Sequence, residues 1–191
     1  TCLYYDIRKR LIQSVSTNHL DGIEKEYIAY NFIDQPVKKT HVHTKNGSGG
    51  GRQTEVYAYI YDHAGRLLKI THQLNGGMIV TLAENTYDEL GRLKTNKKGG
   101  VVNTVTTYTY NVRSWIKSVS SALFSQTLYY NESYGGSAKQ YNGNISAMSW
   151  KQSSEVNYNG YAFTYDGLSR LTAANYLVNG VSSTHFRTAY M

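Results

Sequence analysis

Asp62, Asp88 and Asp166 each stand directly after a tyrosine and four residues before an arginine. Carboxylates held near guanidinium groups are raw material for general acid–base chemistry. Their recurrence argues against it: a catalytic pair is placed once, whereas turn-forming residues return with every repeat. His41 and His43 are two apart on a strand-like run, so both rings share a face and could hold a metal. No nearby Cys or Asp completes a ligand set, and Lys38, Lys39 and Lys45 make the surroundings cationic, so both read as solvated strand histidines. Cys2, the one cysteine, has no obvious base for nucleophilic chemistry and no internal disulfide partner. The run Gly47-Ser48-Gly49-Gly50-Gly51 precedes a strand-like stretch rather than a helix, which denies it the context of a phosphate loop. No catalytic residue, metal or cofactor is expected, and the chain reads as a non-enzyme.

The elements that carry these residues are strands. Among 191 residues there are 19 Tyr and 17 Gly but one Pro. Tyr, Thr and Val punctuated by Gly and Asn favour strands and tight turns. The formal net charge is +7, yet the densest basic cluster, Arg8-Lys9-Arg10, is only three long. A nucleic-acid partner is not expected from so scattered a charge. No stretch approaches the roughly 20 apolar residues of a membrane-spanning helix.

The spacing is periodic. Four of the six aspartates follow a tyrosine: Tyr5-Asp6, Tyr61-Asp62, Tyr87-Asp88 and Tyr165-Asp166. Tyr30-Asn31, Tyr110-Asn111 and Tyr141-Asn142 continue the series with asparagine. From Tyr5 to Tyr165 the intervals are 25, 31, 26, 23, 31 and 24 residues, which makes about seven repeats. Tyr130-Asn131 is left out of this count. The best units read Y-D-H-A-G-R-L (Tyr61 to Leu67, with Gly65 and Arg66) and Y-D-E-L-G-R-L (Tyr87 to Leu93, with Gly91 and Arg92). The units ending Arg10-Leu11 and Arg170-Leu171 lack only the glycine.

Asp or Asn at the first position of a type I turn accepts bonds from the turn's own backbone, and Gly at the fourth tolerates positive φ. Each tyrosine should therefore end one strand and each Arg-Leu pair begin the next. Gly65 and Gly91 should have positive φ, with Lys9 and Ser169 forced to similar geometry. Second turn signals at Asp21-Gly22, Asn46-Gly47, Asn75-Gly76-Gly77, Gly99-Gly100 and Asn179-Gly180 mark the opposite edge. The expected fold is all-β, a continuous antiparallel meander of one repeat region spanning residues 1–191. Tyr57, Tyr59 and Tyr61, like Tyr161, Phe163 and Tyr165, should share a face, with the repeated arginines over tyrosine rings or paired with turn carboxylates. The pattern frays at Asn46 to Gly51 and between Tyr130 and Tyr141, where a loop should replace strand.

Tandem Y-D-x-x-G-R-L units at this spacing resemble the RHS or YD-repeat family, which includes bacterial Rhs toxins, wall-associated proteins, a component of insecticidal toxin complexes and animal teneurins. The resemblance implies a β-ribbon that spirals into a hollow shell, of which this chain would be a curved, open segment. It also implies a secreted or cell-surface location and, as partners, further repeats, an enclosed C-terminal cargo domain or secretion machinery. Toxin members end their shell with a self-cleaving motif rich in Asp, Pro and Gly; with Pro36 the only proline, neither that cleavage nor a toxin domain carries over. The chain reads as a fragment of a longer protein. Its expected function is a structural scaffold; the alternative is an adhesion module that binds carbohydrate or protein through its aromatic face.

Overall fold

The computed structural model describes residues 1–46, 51–99 and 104–190. Gly47 to Gly50 and Gly100, in the expected turns, lie outside the described residues. Sixteen strands follow one another among the described residues, and nothing else regular accompanies them but a single 3₁₀ residue, Thr104. They are β1 (Cys2–Tyr5), β2 (Leu11–Thr17), β3 (Ile23–Tyr30), β4 (Pro36–Thr44), β5 (Arg52–Tyr61), β6 (Leu67–Leu74), β7 (Ile79–Tyr87) and β8 (Leu93–Lys98). The second half holds β9 (Val105–Tyr110), β10 (Ile116–Ser120), β11 (Phe124–Tyr129), β12 (Ala147–Gln152), β13 (Asn159–Tyr165), β14 (Leu171–Val178), β15 (Val181–Ser182) and β16 (Thr188–Ala189). Neighbours in sequence are neighbours in space from β1 to β15, with β16 on β14, and the order never returns to β1. The fold is an open antiparallel meander, and its residues group into two compact units, Thr1–Thr86 with Lys97–Val101, and Tyr87–Asn96 with Val102–Met191.

In the first unit the register sets charged rows across three strands. Glu24 of β3 faces His43 of β4, which faces Gln53 of β5; Glu26 faces His41, which faces Glu55. Side chains two apart point the same way, so this face is polar. Val42 is the one buried apolar side chain of this unit among the described residues.

The second unit has more of a core, because a loop lies on the sheet. No strand forms between Tyr129 and Ala147. From this connection Tyr134 stacks on Tyr129, ring centroids 4.5 Å apart and planes 4° from parallel. Gly135 follows with φ +60°, and a Cβ there would sit 2.3 Å from Leu177 Cδ1. Leu177 is fully buried, on the same face of the sheet as the buried Ala162 of β13 and Ala147 of β12.

A register shift accompanies the turns. Tyr5 faces Leu11 while Tyr4 faces Gln13, and the same one-residue slip recurs at Tyr30, Tyr61 and Tyr165. Each slip leaves one extra residue on the strand after the turn: Ile12, Val37, Leu68 and Thr172. Such bulges increase the local right-handed twist.

Candidate functional site

The repeated residues form a clamp around each turn. At Asp62 the backbone closes twice: Gly65 N–H donates to Asp62 O (3.0 Å), and Asp62 N–H donates to Arg66 O (3.0 Å). The carboxylate then takes over the interior. Its Oδ1 accepts from the N–H groups of Ala64 and Arg66, both at 2.9 Å, while Oδ2 accepts from Arg66 Nε at 2.7 Å. The same atoms make the same contacts at Asp6 with Arg8 and Arg10, at Asp88 with Leu90 and Arg92, and at Asp166 with Leu168 and Arg170. All oxygens of the four carboxylates are engaged within their own turns.

The fourth turn position is left-handed whatever residue fills it. Gly65 and Gly91 have φ of 77° and 78°, and Lys9, Asp34, Ser114 and Ser169 lie between 61° and 66°. Replacing Gly65 with valine is expected to cost on the order of 1 kcal/mol or more, because a β-branched residue strains at positive φ. A Cβ would also meet Gln35 Nε2 at 3.2 Å, the group that donates to Gly65 O. An unchanged urea midpoint would show that the turn carries no such constraint.

Arginine also links one repeat to the next. The Arg10 guanidinium lies 5.0 Å from the Tyr30 ring centroid, and Arg92 lies 4.7 Å from that of Tyr110. Arg10 Nη1 reaches Asp34 Oδ1 at 2.6 Å, and Arg92 Nη1 reaches Ser114 Oγ at 3.2 Å, both in the following turn. The tyrosine answers with its hydroxyl, which donates to the carbonyl that opens the preceding strand pair. Tyr30 bonds Leu11 O, Tyr61 bonds Pro36 O and Tyr110 bonds Leu93 O, at 2.8–2.9 Å. At Tyr30 and Tyr110 a guanidinium therefore lies over the ring while also pairing with its turn carboxylate, the two placements expected of the repeated arginines.

Two positions keep the geometry with different chemistry. Asn31 uses Oδ1 as aspartate does, on the N–H groups of Ile33 and Gln35, and its Nδ2 donates to Gln35 Oε1. Gln35 occupies the arginine position, and its Nε2 donates to Gly65 O of the next turn (2.7 Å). In the Asn111 turn Trp115 occupies that position and meets Tyr130, with ring centroids 5.0 Å apart. Tyr130 OH donates to Ile116 O at 2.9 Å. Tyr130 thus fills the role assigned from spacing to Tyr141. It is 9% exposed, whereas Tyr141 is 62% exposed on the loop. Asn142 makes only part of the turn: its Oδ1 accepts from Asn144 N–H, and its Nδ2 donates to Ser169 Oγ.

The turn carboxylates titrate below the ordinary aspartate range. For Asp6, Asp62 and Asp166 the backbone N–H of the turn arginine is the largest cause. For Asp88 burial pushes upward, and the bonds from Arg92 outweigh it. Because the folded values are depressed, the unfolded chain takes up protons first as pH falls. The stability these groups contribute is present above the unfolded range, about pH 4, and is lost as pH drops through the folded values. The melting temperature is expected to hold near neutrality and to fall below about pH 4. Asp62→Asn should shrink that acid limb; an unaltered limb would mean that the loss arises elsewhere.

His41 and His43 are not solvated singly. His41 Nε2 shares a hydrogen bond with Glu24 Oε2 at 2.8 Å, and His43 Nδ1 is bonded to Glu24 Oε1. Burial would raise the Glu24 carboxyl, but bonds from Asn18, His43 and His41 hold it below the usual value. Glu24 is 17 residues from His41, and only the register of β3 on β4 brings it there. No group of His, Cys, Asp or Glu among the described residues has metal-binding geometry, and Cys2 is exposed and free.

A cavity lies where one repeated turn meets the loop after β11. It is about 430 Å³, between the Asn111–Trp115 turn and the loop residues Asn131, Glu132, Gln140 and Tyr141.

No family model matches the chain, and no curated protein does. Among solved structures it is similar to a chain in the crystal structure of TcdB2-TccC3-Cdc42, at 13% identity and a TM-score of 0.33, over 98% of this chain and 9% of that one. It is also similar to a porin-like protein from Bacteroides vulgatus, at 13% identity and a TM-score of 0.27, over 96% of this chain and 93% of that one. Among the described residues no helix is long and apolar enough to cross a membrane.

Proposed function

We propose that the chain is a length of RHS- or YD-type β-ribbon whose role is structural rather than enzymatic. The observation that carries this is the clamp: four aspartates make the same bonds to the same atoms of their own turns. Acid–base catalysis needs a carboxylate free to meet a substrate, and these are spent on shape. Arginine, glutamine and tryptophan at one position each tie a turn or ring to its neighbour, which fits selection for inter-repeat contact. A secreted or surface location and an enclosed or displayed partner domain rest on the family resemblance alone.

A ribbon segment should also have a reactive edge. All four residues of β1 are exposed, and among the described residues the strand pairs only with β2. An edge strand with one side unpaired recruits other strands. Sedimentation of the chain is expected to show concentration-dependent association, weakened by Leu3→Lys, which places a charge on that edge. A monomer at every concentration would overturn the ribbon-segment reading.

A further inference from the structure

Among the described residues the repetition breaks between Tyr130 and Ala147, and the break builds something that the repeat does not need. Elsewhere a tyrosine is followed by a five-residue clamped turn; here the connection runs through Ser146. Long connections inside a compact fold usually serve a purpose of their own. One part of this loop, Tyr134 to Ser137, covers Leu177. Another part, Asn131, Glu132, Gln140 and Tyr141, walls the cavity opposite Trp115.

The walls have a definite chemical character. Trp115 is held rigidly, with the Arg113 guanidinium 5.1 Å from its centroid and the Tyr130 ring 5.0 Å away. Tyr141 presents an exposed ring at the mouth, and Arg113 Nη1 donates to its backbone carbonyl and fixes its position. Among the described residues the side-chain amides of Asn131 and Gln140 have no partner within the chain, and Asn111 Nδ2 has none either. Each amide offers both donors and acceptors. Of the charged side chains here, Lys117 Nζ pairs with Glu132 Oε1 at 2.8 Å, while Arg113 Nη1 donates to the neutral backbone carbonyl of Tyr141. A wholly apolar ligand would strand the amides, which call for groups that both donate and accept.

We propose that this cavity binds a neutral saccharide. A pyranose has an apolar C–H face suited to an aromatic ring and a rim of hydroxyls that both donate and accept. Tyr141 supplies the stacking surface, Gln140 and Asn131 read the hydroxyls, and Trp115 forms the rigid back wall. The volume lies within the range of small-ligand sites. This inference stands apart from the scaffold reading, since a scaffold with or without the site would show the same turn clamps.

The test is to probe an array of neutral glycans, with glucose, galactose, mannose and N-acetylglucosamine termini, using the full 191-residue chain. The methyl glycoside of the terminus that binds is then titrated into the labelled chain and followed by NMR. Binding to at least one terminus is expected, with shifts at the Trp115 indole N–H and the Gln140 side-chain amide. Tyr141→Ala should weaken binding by about tenfold or more, as aromatic anchors do, and Gln140→Ala by a smaller factor. Both side chains lie outside the core, so the melting temperature should not move; should Tyr141→Ala disturb the loop, Asn131→Ala and Gln140→Ala carry the test. Silence across the neutral array, binding indifferent to all three substitutions, or a response confined to sulfated glycans or peptides would each overturn the proposal.

Discussion

Tyr130→Ala is expected to cost about 3–5 kcal/mol of folding stability, the range for emptying a buried aromatic site. Tyr130 does three things at once. Its ring packs against Trp115, its hydroxyl holds Ile116 O, and its backbone carbonyl accepts from Gln140 N–H at 2.7 Å. The side chain therefore anchors the last regular turn, while the backbone bond to the loop is one that alanine would keep. Tyr130→Phe keeps the packing and loses one neutral hydrogen bond, for about 1 kcal/mol. Tyr5→Ala provides the contrast: Tyr5 is 56% exposed at the end of β1, so its truncation should cost well under half as much. Urea unfolding of the three variants measures this. Equal losses for Tyr130→Ala and Tyr5→Ala would sink the idea that neighbouring repeats supply the stability.

Gly160→Ala is expected to be comparably damaging, at about 2–4 kcal/mol, the scale of a severe clash in a packed interior. Gly160 lies in β13 between Ser149 and Leu177 on the flanking strands. A Cβ built there falls 2.6 Å from the carbonyl oxygen of Met148, a backbone atom that cannot swing aside. Tyr134 Cε1 would lie at 3.4 Å, within ordinary contact, so the Met148 carbonyl alone sets the clash. Gly167→Ala is the matched control. Gly167 sits at the tip of the Asp166 turn with nothing within 4 Å of a new Cβ and without positive φ. There alanine should be neutral or slightly stabilising, since it narrows the unfolded ensemble. If thermal unfolding finds the two glycines equally tolerant, the close packing of β13 is wrong.

The turns were legible because their chemistry is local. An aspartate or asparagine five residues before the next strand reaches its own backbone without help from the rest of the fold, so Y-D-x-x-G-R-L identifies a hairpin by itself. Even Lys9 and Ser169, which lack the glycine, could be placed at positive φ by position alone. Strand class and the chain-order meander follow from the same short-range pattern and the brief connections.

What the tertiary structure decided is everything that depends on which residues meet across strands. Spacing favoured Tyr141 over Tyr130, because the interval to Tyr141 matches the others; the sheet instead ends β11 before Tyr130 and spends the following residues on a loop. Gln35 and Trp115 carry no arginine-like signal, and their equivalence appears only once the fifth position is seen to face the next repeat. Glu24 is joined to His41 and His43 by register, and the bulges at Ile12, Val37, Leu68 and Thr172 have no glycine to announce them. A turn is closed by bonds between residues a few positions apart, which sequence displays directly. A bridging carboxylate or a cavity wall is closed by pairings about 20 residues away, and those exist only after the strands have chosen their register.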